Sequence, residues 1–216
     1  MFFRKKNDYK KQLEELEKTK QQLRVAHNQS LEASLEDINS NREFYEKMRN
    51  HGIRRFDNFL NLCLISGVTT SDISILNAKI RLSDQRLEKL LFARMLSIII
   101  IEYLKDINEL LGFKLIGELN TNKYTQFVPI MKDLNSRFAN IRKENETLLT
   151  SIRNNIAAHK TKDALNLINH MFNVDPDKIS RIAIDIVQLN IELTNQTTEI
   201  IYVMTAEGRE NEKNSR

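Results

Sequence analysis

Between residues 151 and 160 the chain reads Ser151-Ile152-Arg153-Asn154-Asn155-Ile156-Ala157-Ala158-His159-Lys160. Here a guanidinium, carboxamides and an imidazole fall together inside an apolar helical pattern. These are the residue types that cleavage of a ribose phosphodiester needs when no metal takes part. A base must remove the 2′-hydroxyl proton, an acid must protonate the leaving 5′-oxygen, and a fixed cation must offset the charge growing on the phosphorane oxygens. Histidine exchanges protons near neutral pH. Arginine stays charged and offers a planar fork to phosphate oxygens. Asparagine can orient either partner without titrating.

The same stretch has a structural reading. Ile152, Ile156 and His159 share one helical face. His159 then serves as a hydrogen-bonded core residue, Arg153 as a solvated cation, and Asn154 and Asn155 as surface amides. Helix geometry puts a condition on the chemical reading. Six residues turn a side chain by about 600°, leaving Arg153 and His159 about 120° apart and about 9 Å along the axis. Either the helix breaks before His159, or two copies meet so that their motifs share a cleft. On a continuous helix Asp163, one turn further on, is placed to orient the imidazole.

Other chemistries lack their residues. The sequence has no Gly-rich phosphate loop, its single cysteine cannot make a paired-Cys zinc site, and His27, His51, His159 and His170 are scattered. No metal or cofactor is expected. Cys63 sits in the apolar run Phe59-Leu60-Asn61-Leu62-Cys63-Leu64, which predicts a buried, inert thiol.

The elements that must position this stretch are helices. Five Gly and two Pro among 216 residues, with no alternation of apolar and polar positions, exclude a β-rich fold. Lys5 to Asn50 reads as one long helix with a coiled-coil-type seam through Leu13, Leu16, Leu23, Ala26, Leu31, Leu35, Ile38, Tyr45 and Met48. It is too long to bury against a small domain, so part of it is expected to project or to pair with another chain. Gly52 suits the left-handed position that ends it. A helix from Ile53 to Ser66 is expected to stop at Gly67. Another, capped by Thr69-Thr70-Ser71-Asp72, should run to Leu111, with Ser83-Asp84 able to divide it. Its run Leu96 to Ile101 is apolar nearly all round and marks a bundle centre, flanked by Arg94 and Glu102. Gly112 to Thr125 reads as a connection. A helix from about Pro129 leads into the Arg-Asn stretch, a short one follows over Asp163 to Phe172, and Asp175-Pro176-Asp177 starts the last, which Gly208 should end. The expected organisation is all-α: a helical arm over 1–50, a bundle over 53–206 and a disordered tail over 207–216.

A net charge of +4 and a pI near 9.1 permit a nucleic-acid partner without requiring one. The window Leu90 to Leu104 contains Arg94 and Glu102 and is too short to span a bilayer, and the start of the chain has no signal-peptide pattern. A cytoplasmic protein with no membrane partner is expected.

Arg153-Asn154 followed by Ala157-Ala158-His159-Lys160 on an apolar-patterned helix resembles the R-x(4–6)-H motif of the HEPN superfamily. The resemblance covers Ile130 to Met204 well, the helices from Ile53 loosely, and the N-terminal arm not at all. It implies a HEPN-like bundle and, as in many members, a metal-independent endoribonuclease that works as a dimer with a composite site and leaves a cyclic phosphate. Such members act in toxin–antitoxin and phage-defence systems; others only bind RNA or proteins. The resemblance assigns Arg153 to phosphate binding, Asn154 to positioning and His159 to proton transfer. Arg142, Lys143, Lys160 and Lys162 are the basic neighbours expected to contact RNA. The competing reading is a non-catalytic interaction module that oligomerises, or binds a partner protein, through the N-terminal helix.

Overall fold

The computed structural model describes residues 2–157 and 164–214. It is an all-α bundle, with no strand among the described residues. The helices are α1 (Phe2–Asn50), α2 (Asp57–Leu82), α3 (Arg86–Leu110), α4 (Phe113–Thr121), α5 (Val128–Ala157), α6 (Ala164–Phe172) and α7 (Pro176–Asn214), with a 3₁₀ turn over Thr125–Phe127. The core lies where α2, α3, α5 and α7 meet, and its largest fully buried side chains include Phe59, Leu96, Ile100, Leu104, Ile107 and Phe138.

Several boundaries follow from local chemistry as the sequence indicates. Gly52 has φ +72° and ends α1, with its N–H donating to Arg49 O and Ile53 N–H to Met48 O, both at 2.9 Å. At the same end His51 Nδ1 lies 2.7 Å from the Lys47 carbonyl oxygen and donates to it. The Asp175 carboxylate accepts from the N–H groups of Asp177 and Lys178, so α7 begins at Pro176 with a full N-cap. Ser83 breaks the long apolar stretch into α2 and α3, its Oγ accepting from Gln85 N–H at 3.0 Å.

Other boundaries differ from expectation. Gly67 does not stop a helix. It lies inside α2 because α1 crosses it closely: a β-carbon there would stand 3.1 Å from Ile38 Cγ1. Thr70 and Ser71, expected to cap a new helix, donate back to the carbonyls of Ser66 and Gly67 and leave α2 unbroken. The stretch after Gly112 contains α4 where a connection was expected. Glu118 on α4 caps α2 from a distance, its carboxylate accepting from the N–H groups of Asn58 and Phe59 at 3.0 and 2.8 Å. Phe56, at the N-cap position of α2, has no side-chain oxygen to do this. Gly208 does not end α7, which runs on to Asn214.

α1 and α2 form an antiparallel hairpin. Arg49 pairs with Asp57 near the turn, Ile38 packs on Gly67, and Lys20 pairs with Asp84 at the far end. Phe44, Tyr45 and Met48 pack against the core. The stretch read as an arm is therefore in two parts. From Lys20 onward it lies along α2, whereas Phe2–Thr19 continues past the end of α2, about 27 Å of helix at 1.5 Å per residue. Its contact face keeps Leu31, Ile38, Tyr45 and Met48 of the seam read in the sequence and departs from that seam at Leu16, Leu23 and Leu35. Lys20, His27, Leu31, Ser34, Ile38, Asn41, Tyr45 and Met48 are the more enclosed positions, while Leu16, Leu23 and Leu35 are about half exposed.

Among the described residues one helix, α2, is long and apolar enough by length and composition to cross a membrane, which the window Leu90 to Leu104 did not anticipate. Here it packs against α1, α3, α4 and α7 and carries core residues such as Phe59, Leu62 and Ile73.

Candidate functional site

α5 brings Arg153 to the edge of the bundle. Met131, Leu134, Phe138, Leu149 and Ile152 are buried along its inner face and fix its rotation against α3. Arg153 follows Ile152 by one position, about 100° round the helix, and so stands at the border between core and solvent. Its side chain is 42% exposed, and Nη1 donates to Glu102 Oε1 of α3 at 3.0 Å. Asn154, one position further round, is exposed.

Arg94 and Glu102 were set together by the sequence as flanks of the apolar run. The structure separates their roles. Arg94 Nε donates to its own helix at Leu90 O, while Glu102 reaches across to Arg153. Nothing in the local sequence signals that second pairing, because the partners are 51 residues apart and meet only through α3–α5 packing.

Of the expected RNA contacts, Arg142 lies on nearly the same face of α5 as Arg153, three turns earlier, and pairs at 3.4 Å with Glu146. Lys143 is exposed. His159, Lys160 and Lys162 lie outside the described residues, as does Asp163. Among the described residues no group of three or more His, Cys, Asp and Glu side chains is placed to hold a metal ion. Cys63 is buried and its thiol is pushed up to about 12 by burial, which removes it as a nucleophile near neutral pH.

A second charged contact on α5 serves packing. Arg137 donates to both carboxylate oxygens of Glu192 on α7, at 2.5 and 2.7 Å. This bidentate pair holds the Glu192 carboxyl below and the Arg137 guanidinium above their ordinary values. The contact at Arg153 is a single hydrogen bond at the surface, so it is the more easily exchanged.

No protein family, curated protein or solved structure matches this chain.

Proposed function

We propose that this chain is a HEPN-like, metal-independent endoribonuclease that acts as a homodimer on RNA in the cytoplasm, in bacterial defence or stress response. The observation that carries the reading is the half-exposed guanidinium of Arg153, oriented at the bundle edge by a surface carboxylate that a phosphate can displace. Arg142 supports it by supplying a second cation on nearly the same face of α5. In the proposed reaction His159 passes a proton. The ribose O2′ attacks phosphorus as its proton leaves, the P–O5′ bond breaks, and the 5′-oxygen is protonated, giving a cyclic phosphate and a free 5′-hydroxyl. Arg153 binds the phosphorane charge, Asn154 positions its neighbours, and Lys143, Lys160 and Lys162 hold the RNA backbone.

The test is cleavage of single-stranded RNA by the purified chain in EDTA, with end-group analysis. Arg153→Ala and His159→Ala should each lower the rate by at least about 100-fold while the helical circular dichroism is kept. Cleavage unchanged in both variants overturns the reading.

A second reading rests on the stretch of α1 beyond the bundle, with Leu16 half exposed on it. In that reading the chain is an interaction module that assembles through Phe2–Thr19. Deleting only those residues spares the part of α1 that packs on α2 and should lower the oligomeric mass. An unchanged mass excludes it.

A further inference from the structure

We propose that the cleft between α1, α2 and α7 binds a small, uncharged, hydroxyl-rich molecule of about the size of a nucleoside or a disaccharide. The cleft has a volume of about 440 Å³, within the range of small-molecule sites. Ser34 and Asn41 of α1, Ser66 and Thr70 of α2, and Asn190 and Thr197 of α7 line it. Among the described residues of the lining Asp37 is the one charged side chain, and none is a Lys or Arg. A phosphate or carboxylate group would find no counter-charge there, whereas a neutral polar molecule leaves no charge uncompensated.

Donors and acceptors in the lining are divided in a way that suits hydroxyl groups. Ser66 Oγ donates to Leu62 O at 2.8 Å, Thr70 Oγ1 to Ser66 O at 2.6 Å, and Thr197 Oγ1 to Thr194 O at 3.0 Å. Each hydroxyl has spent its proton on the helix and keeps lone pairs that can accept. Asn190 is the complement. It is 1% exposed, its Oδ1 accepts from Tyr103 Oη, and its Nδ2 has no partner. Exchanging the two amide atoms would leave the oxygen unpartnered instead, so one amide atom beside the cleft lacks a hydrogen bond in either orientation. A ligand hydroxyl can donate to the serine and threonine oxygens, and turning the enclosed Asn190 amide toward the cleft would let the same hydroxyl accept from it. Ile38 and Ile191 supply apolar contact for the ring faces.

Cys63, also in the lining, is a buried thiol whose ionisation burial suppresses. Occupancy has a mechanical consequence. A ligand touching Ser34 and Asn41 as well as α7 ties α1 to the bundle, and α1 contributes no fully buried side chain of its own among those described.

The test uses the full chain and thermal unfolding with uridine, adenosine, maltose and trehalose, with uridine monophosphate as the charged control. At about ten times its Kd a neutral probe should raise Tm by about 3–5 °C. Ser34→Leu, which fills the cleft from α1, should abolish the shift, and Leu87→Ala on the exposed side of α3 should keep it. The nucleoside and sugar arms separate the two sources of hydroxyl chemistry. If Ser34→Leu loses its helical circular dichroism, Thr70→Val provides the comparison by removing one acceptor at nearly constant volume. The proposal is overturned if no neutral probe shifts Tm, if uridine monophosphate binds as tightly as uridine, if the cleft variant that folds keeps the full shift, or if only water is found against Asn190.

Discussion

Two of the helices packed on α2, α3 and α1, are held by different chemistry. On one side α3 contributes Leu90, Leu96, Ile100, Leu104 and Ile107, all buried to 2% exposure or less. On the other, α1 offers a face that mixes Leu31, Ile38, Tyr45 and Met48 with His27, Ser34 and Asn41, none of them fully buried. Apolar burial is the main favourable term in helix packing, so the α2–α3 contact belongs to the cooperative core and the α1–α2 contact to the part that opens first. The glycine that lets α1 approach, Gly67, and the terminal Lys20–Asp84 pair set its register without adding much buried area.

The largest expected effect is in the core. Leu104→Ala removes a fully buried side chain and should cost about 3–4 kcal/mol in urea unfolding. Ile38→Ala on α1 should cost about 1 kcal/mol, because the site is already part-exposed. Equal losses would break the comparison. Hydrogen exchange sharpens it: α1 amides should exchange faster than those of α3.

Next comes a buried hydrogen bond that links α3 to the cleft. Tyr103 is enclosed, burial pushes its hydroxyl well above the ordinary tyrosine range, and Asn190 accepts its proton. Tyr103→Phe keeps the ring against Phe138 but leaves a second Asn190 amide atom without a partner, at a cost of about 1–2 kcal/mol. A neutral result would mean that water already satisfies this amide.

At Arg153 stability and activity should part. The Arg153–Glu102 pair is about half exposed on both sides, so Arg153→Ala should shift stability by less than about 0.5 kcal/mol. Under the proposed function the same change removes RNA cleavage. A large stability loss instead would mark Arg153 as a packing residue and favour the structural reading of its stretch.

What could be read in the sequence follows how local each signal is. Gly52, Ser83 and Asp175 ended or began helices through groups within a few residues, and the all-α class followed from scarce turn residues and helical spacing. Gly67 misled because its role is set by Ile38 on another helix, and α4 was missed because its function, capping α2 through Glu118, lies 60 residues away from the capped end. In α1 Leu31, Ile38, Tyr45 and Met48 of the expected seam do meet α2, but Leu16, Leu23 and Leu35 give way on that face to His27, Ser34 and Asn41. Their spacing of seven residues is legible in the sequence, but their polarity masks a face that the hydroxyl-lined cleft accommodates. Arg153 and Asn154 were identifiable by type; the pairing with Glu102 needed the α3–α5 contact.

The smallest effect probes α1 directly. His27 lies between α1 and α2, near Arg24, Lys79 and Arg81, with Glu88 on the α3 side. Burial first, and then the charge of Lys79, lower its basicity below the ordinary histidine value of 6.5. A lowered value in the folded state means that the unfolded chain binds the proton more readily. The neutral ring is therefore compatible with full stability above about pH 6.5, and stability is lost as pH falls from there through the folded value. The loss should be modest, since the ring is only partly enclosed, and should concentrate in α1. His27→Gln keeps a polar side chain there and removes the proton. Between pH 8 and 5 the wild-type urea midpoint should fall by more than that of His27→Gln, and α1 amides should show the difference while α3 amides do not. The carboxylates with lowered values, Asp84 and Glu192, titrate below this window and leave it clear. Parallel pH profiles for the two proteins would place His27 outside the contact that holds α1 to the bundle.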